Sequence, residues 1–295
     1  MDEISPVATK RRWGLEKRLE FIEFRVFWQG AVNRSDLSSQ FGISAPQASA
    51  DLSAYQKLAP SNLMYDSSKK RYVATPEFVP CLIVPNADQY LSQLCPIDGS
   101  SPIAEAAWLS RVPPIDAMPL PSRSVKPTVL RRILQTIDEG VSLEILYQSM
   151  SPKSPDLTWR RITPHALASD GTRWHVRAYC HADSKFKDFL LSRCQDVQAD
   201  GPAGASPEMD VHWNERLKVV LEPNPLLSPS QRFAIALDYS MSEGKLSLSV
   251  RRALLFYLNK HLRLDLIQYD PRPASNPLVV KNRREFDESM RLASF

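Results

Sequence analysis

The stretch that decides the fold reads Asn33-Arg34-Ser35-Asp36-Leu37-Ser38-Ser39-Gln40-Phe41-Gly42-Ile43-Ser44-Ala45-Pro46-Gln47-Ala48-Ser49-Ala50-Asp51-Leu52-Ser53-Ala54-Tyr55-Gln56-Lys57-Leu58. Asn33 or Ser35 caps a short helix over 36–41, which Gly42 interrupts. Ser44 caps a second helix over 45–58. Pro46 is tolerated in its first turn, where an N–H would be unpaired anyway. Pro60 lies just past its end. Downstream, Asn62–Tyr65 and Arg71–Ala74 are short extended pieces around the polar turn Asp66-Ser67-Ser68-Lys69. Upstream, Leu15, Leu19, Ile22, Val26 and Phe27 recur at helical spacing and predict a helix over 13–28. Two helices joined through a glycine turn, then a two-stranded ribbon, give the outline of a winged helix-turn-helix.

This outline has chemical consequences. With Ala48, Leu52 and Tyr55 turned inward, the second helix offers Pro46, Gln47, Ser49, Ala50 and Ser53 to solvent. These small or polar side chains permit close approach to a DNA groove, and the Gln47 amide suits a base edge. Ser44 and Ser49 are candidate phosphate donors beside a positive helix N-terminus. Lys69, Lys70 and Arg71 occupy the ribbon turn, where they would grip backbone or enter a minor groove. The candidate DNA-contacting set is Ser44, Pro46, Gln47, Ser49, Ser53, Lys69, Lys70 and Arg71, with double-stranded DNA as partner.

The chain has 295 residues, 43% of them hydrophobic and 24% charged, which is enough for two or three ordinary domains. Net charge is +4, from 37 basic against 33 acidic residues, so the distribution of charge says more than its sum. No apolar run approaches the ~18 residues of a membrane span. Met1-Asp2-Glu3-Ile4 lacks a signal-peptide pattern, and the expectation is a soluble cytoplasmic protein without a membrane partner. Cys81, Cys95, Cys180 and Cys194 form no C-x-x-C pair and no zinc spacing, so neither metal nor cofactor is expected. No hydrolase, metalloprotease, P-loop or dinucleotide-binding motif is present, and no catalytic residue is assigned. Proline (24) far outnumbers glycine (9). Pro113–Pro121 reads as a semi-rigid connector and Gly201–Pro207 as a second break, dividing the chain into parts over 1–110, 122–200 and 208–295.

The middle part begins with a helix over 127–139, ended by Gly140. Short strands follow over 143–150, 159–163, 174–179 and 186–193, as in a small barrel or sandwich. Strand parity puts Trp174, Val176 and Ala178 on one face, suited to a core, and His175, Arg177 and Tyr179 on the other. Arg161 and His165 share a parity, as do Tyr147 and Ser149, and Phe189, Leu191 and Arg193. Two readings are open: a convergent patch for a phosphate-bearing or planar anion, or cross-strand pairs with Asp170, Asp183 or Asp188. In the last part, Leu217–Leu221 reads as a strand and Ser228-Pro229-Ser230 opens a helical segment. Arg251–Leu262 is predicted as an amphipathic helix whose Leu254, Leu255, Phe256, Leu258 and Leu262 form a core or a subunit interface.

The run Gly171-Thr172-Arg173-Trp174-His175-Val176-Arg177-Ala178-Tyr179-Cys180, with Phe189–Arg193, Tyr147-Gln148-Ser149 and Arg161–His165, resembles the signature of WYL-domain transcription regulators. The family's Trp-Tyr-Leu triplet here reads Trp174-His175-Val176. Asp51-Leu52, Tyr55, Tyr65-Asp66 and Lys70-Arg71-Tyr72 extend the likeness to the CapW/BrxR subgroup. The resemblance implies an α+β, multidomain chain: a winged helix-turn-helix domain over 1–110, a proline-rich linker over 111–127, a WYL domain built as a small Sm-like β-barrel over 128–200, and a C-terminal α/β dimerisation domain over 208–295. It further implies a homodimeric, ligand-responsive repressor of an anti-phage defence operon of CBASS or BREX type. The implied ligand-facing residues are Tyr147, Ser149, Arg161, His165, His175, Arg177 and Arg193; Arg161, Arg177 and Arg193 among them point to an anionic effector, a nucleotide or nucleic-acid fragment. The alternative is an RNA- or single-strand-binding Sm-like module without operator specificity.

Overall fold

The computed structural model describes residues 6–94, 108–109, 112–116, 118, 121, 123–152, 156–266 and 272–292. The chain divides between Ser122 and Arg123 into two units. Cys95 and parts of the proline-rich connector (117, 119 and 120) lie outside the described residues.

The first unit runs α1 (Pro6–Gln29), β1 (Ala31–Val32), α2 (Arg34–Phe41), α3 (Ala45–Leu58), β2 (Leu63–Asp66), β3 (Arg71–Ala74) and α4 (Ala87–Leu94). Local chemistry sets the boundaries of α2 and α3. Asn33 closes a capping box with Asp36: its side chain accepts the Asp36 N–H at 2.9 Å, and its own N–H donates to the Asp36 carboxylate at 2.8 Å. Gly42 ends α2 at φ 64°, left-handed backbone that glycine adopts without a steric penalty. Ser44 caps α3, whose bounds match those expected. The ribbon pairs antiparallel with Tyr65 opposite Tyr72, and β1 adds a third strand beside β3. Phe21, Ile22 and Val26 of α1 pack against Leu37, Ala48, Leu52 and Tyr55, so the inward face of α3 is the one its sequence marks. Buried Glu23 accepts N–H bonds from Cys81, Leu82 and Ile83 at 2.7–2.9 Å and the Tyr55 hydroxyl at 2.8 Å, tying the segment after the wing to α1 and α3.

In the second unit, α5 (Pro127–Glu139) covers a five-stranded antiparallel sheet: β4 (Ser142–Gln148), β5 (Leu157–Ser169), β6 (Trp174–Cys180), β7 (Lys185–Leu190) and β8 (Cys194–Gly201). The strand order is β7-β6-β5-β4-β8. Val129 and Ile133 pack onto Leu143, Ile145, Ile162, Val176, Ala178 and Cys180. After a short turn come α6 (Val211–Asn214), β9 (Arg216–Pro223), α7 (Pro229–Asp238), β10 (Leu246–Arg251), α8 (Leu255–His261), β11 (Leu278–Val280) and α9 (Arg283–Leu292). Their sheet, ordered β10-β9-β11, buries Leu217, Val219 and Leu221 under Leu255 and Phe286.

Three expectations need correction. The helix predicted over 251–262 is shorter: β10 pairs with β9 through Arg251, a 3-10 turn covers Arg252–Leu254, and α8 begins only at Leu255. Trp174 is 56% exposed rather than in the core. The strand expected over 186–193 ends at Leu190, because Leu191–Arg193 coil into a 3-10 turn that redirects the chain into β8. Among the described residues, no helix is long and apolar enough to cross a membrane.

Candidate functional site

In the first unit, α3 turns Ser44, Pro46, Gln47 and Ser53 to solvent, with Ser49 half-buried. The Ser44 hydroxyl accepts the Gln47 N–H at 3.4 Å, and Ser49 donates to the Ala45 carbonyl at 3.0 Å. The Gln47 amide is not loose: its Nε2 donates to Asp51 Oδ1 at 2.9 Å. Asp51, only 1% exposed, is also held by Arg18 of α1, whose Nε donates to Oδ2 at 2.6 Å and whose Nη2 donates to Oδ1 at 3.2 Å. This network was not anticipated, since Arg18 lies 33 residues from Asp51. At the wing, Asp66 accepts the N–H groups of Ser68 and Lys69 at 3.0 and 3.1 Å. Lys70 adopts left-handed backbone at φ 51°, so Lys69 and Lys70 stand exposed at the tip. Arg71 is half-buried and lines a recess together with Arg25 and Asp36.

In the second unit, a cavity of about 320 Å³ opens beside the edge strand β7. Of the seven sequence-predicted sensor residues it gathers Tyr147, Ser149, His175 and Arg193. It adds Arg160, Arg173, Lys187 and Asp188, and α8 contributes Phe256 and Tyr257. Four cations thus line one small space. Carboxylates partly balance them: Arg173 donates to Asp170 and Lys187 to Asp183, each at 2.6 Å. Tyr147 accepts the Leu190 N–H at 3.2 Å, and burial raises its pKa. Burial also lowers the His175 pKa against the opposing pull of Asp170, and its ring lies 4.8 Å from that of Tyr257.

Arg161, His165 and Arg177 do not line this cavity. Arg161 reaches the opposite side of the sheet, donating to Ser142 Oγ at 3.2 Å and pairing with Glu144 at 3.2 Å. His165 meets Asp210 at 3.0 Å. Buried Arg177 donates through Nε and Nη2 to Asp210 at 2.8 and 3.0 Å and through Nη1 to Asp188 at 3.2 Å. Arg161 and Arg177 are drawn off by carboxylates, Glu144 and Asp210, and His165 falls on a bulge in β5. Pro164 pairs with Ala178 but Ala166 with Arg177, so His165 is an extra residue and the period-two count slips. The cross-strand pairing weighed for these arginines is therefore real for Arg177 with Asp188, and Arg160 approaches Asp183 at 4.0 Å. Tyr257 donates to Asp188 at 3.0 Å. No local pattern pointed to Tyr257, which comes from a different part of the chain.

Three family models match in chain order: the BrxR transcriptional regulator winged helix-turn-helix domain over residues 14–96, the WYL domain over 128–199, and the BrxR transcriptional regulator C-terminal dimerization domain over 216–286. This succession defines the class: a WYL-domain transcription regulator of the BrxR type. The DNA-binding transcriptional repressor CapW of Escherichia coli (strain KTE188) is 41% identical over 274 residues, covering 93% of this chain and 91% of the relative. CapW of Stenotrophomonas maltophilia is 39% identical over 285 residues (96% and 95%), and CapW of Pseudomonas aeruginosa 40% over 277 (94% and 92%). The chain belongs to the CapW family.

Proposed function

We propose that the chain is a homodimeric transcriptional repressor: two winged helices read a palindromic operator, and an anionic effector held in the sheet cavity releases it. The observation that carries this conclusion is the placement of α3, anchored by Ala48, Leu52 and Tyr55 with Pro46, Gln47 and Ser53 outward, beside a wing tipped by Lys69 and Lys70. The relatives named as DNA-binding repressors support it, and the dimerization-domain match over 216–286 supports pairing. Arg160, Arg173, Lys187 and Arg193 favour a phosphate-bearing effector, a nucleotide or nucleic-acid fragment, because arginine forks grip such groups bidentately. Tyr147, Ser149 and His175 complete that site. Arg161, His165 and Arg177 serve as its frame. The strand order β7-β6-β5-β4-β8 is compatible with an Sm-like barrel, with α5 packed on its core.

Linkage supplies the mechanism. An effector with higher affinity for a dimer geometry unsuited to the operator weakens DNA binding by its differential affinity, and DNA weakens the effector by the same factor. The protein would act in the cytoplasm, and the resemblance to defence regulators favours an anti-phage operon of CBASS or BREX type. The test is a mobility shift of the full chain on duplex DNA from its own upstream region against a scrambled duplex at physiological salt. Preferred binding is expected, with half-sites about one helical turn or a multiple apart. Equal affinity for both duplexes would overturn the proposal.

A further inference from the structure

We infer that Asp51 fixes which way the Gln47 amide faces, making Gln47 an adenine reader rather than a generic polar contact. This rests on the proposal that α3 enters a major groove. A glutamine side chain has two ends of nearly equal shape, and a half-turn about its last bond exchanges donor and acceptor. Asp51 removes that freedom. Its carboxylate only accepts, so the nitrogen of Gln47, and never its oxygen, must face it. The carboxylate cannot swing away, because Asp51 is buried and Arg18 clasps both of its oxygens.

One N–H of Gln47 is thereby committed to Asp51, leaving the carbonyl and the second N–H facing outward as a fixed acceptor–donor pair. Adenine presents the complement in the major groove, the N6 amino donor and the N7 acceptor. Guanine presents two acceptors, O6 and N7, and would set its O6 against the Gln47 carbonyl. Asp51 and Arg18 are positioning residues. Neither touches a base, yet together they convert an ambiguous amide into one with a defined polarity.

The full-length protein is tested on duplexes recovered from a randomised library, varying one base pair at a time. The contacted position is the one whose preference disappears in Gln47→Ala. There the wild type is expected to favour A·T over G·C by about tenfold or more, the range of a bidentate base contact. Asp51→Asn, whose amide offers both a donor and an acceptor, should cut that preference to about twofold while leaving affinity for random duplex unchanged. Thermal melting checks that the variant folds. If it does not, the paired Arg18→Met/Asp51→Leu change removes the lock while keeping apolar packing, because buried ion pairs are commonly replaceable in this way. A merely structural Asp51 would lower the melting temperature without moving the A·T preference. A folded variant that keeps the full preference overturns the inference and leaves the DNA-binding proposal standing. A wild type with no preference for any duplex sinks that proposal instead.

Discussion

Arg177 and Asp210 form a bidentate ion pair, Nε to Oδ2 at 2.8 Å and Nη2 to Oδ1 at 3.0 Å, that fastens β6 of the five-stranded sheet to the segment leading into the C-terminal domain. Asp210 also accepts the Trp213 N–H at the start of α6, at 3.1 Å. Arg177 reaches Asp188 at the wall of the cavity, and Tyr257 of α8 donates to the same carboxylate. One guanidinium therefore joins cavity, sheet and C-terminal domain.

The first prediction concerns that guanidinium. Arg177→Ala leaves two buried carboxylates without their cation, and removing one partner of such a network costs about 3–5 kcal/mol. The expected result is a lower urea midpoint for the second unit's transition, together with impaired effector binding. Arg193→Ala removes a cation at the cavity instead, and should leave the midpoint near wild type. Equal midpoints for the two variants would show that the Arg177 network contributes little to stability.

Acid should weaken the same region in two stages. Burial raises the pKa of Asp210, but His165 and Arg177 overcome this and hold the carboxyl well below its usual range. Asp170 is likewise held low, because bonds from Thr172 and Arg173 outweigh burial. A depressed carboxylate contributes stability fully above its unfolded value near ~3.9, lost as pH falls through the folded value. His175, kept from charging by burial, begins to cost stability as pH drops below about 6.5. Melting temperatures from neutral to acid should therefore show a shallow decline below about pH 6.5 and a steep one below about pH 4. A melting temperature that rose between neutrality and about pH 5 would contradict these shifts.

Legibility followed the range of the interactions. The bounds of α3 and α5 were readable because Ser44, Pro46, Pro127 and Gly140 act on their own turns. The inward face of α3 followed from helical period alone. Parity counting failed at His165, where a single bulged residue shifts everything beyond it. The Arg177–Asp210 pair spans 33 residues, and Tyr257 meets Asp188 across 69, separations at which no local pattern signals contact. The cavity was consequently half legible: its chemistry was visible in the arginines, its actual walls were not.

The cavity makes the third prediction. Arg193→Ala and Arg173→Ala should each weaken binding of short 5′-phosphorylated oligonucleotides by about tenfold or more, matching the ~1.5–3 kcal/mol of a hydrogen bond to a charged group. Fluorescence anisotropy with the full chain reads this directly, and operator affinity should stay within about twofold of wild type. Tight binding unaffected by both substitutions would place the anion elsewhere.

The last prediction concerns pairing. Helix α7 is well formed at its start, where Ser228 and Gln231 close a capping box, yet none of its residues is buried. Phe233 and Leu237 stand 66% and 63% exposed one turn apart, and Leu226 lies exposed just before the helix. An apolar stripe of this kind on a folded domain marks an interaction surface, and it falls inside the 216–286 dimerization-domain match. The proposed occupant is a second copy. Phe233→Asp combined with Leu237→Asp leaves the core formed by Leu217, Val219, Leu255 and Phe286 untouched, so the domain should still fold. Sedimentation velocity should then show a monomer where the wild type sediments as a dimer. Operator affinity should fall steeply, because the proposed palindromic site would be held by two winged helices at once and a lone protomer would keep only one half-site. A double variant that remained dimeric would move the interface off α7. A variant that became monomeric but bound the operator as tightly as before would overturn the two-half-site mechanism itself.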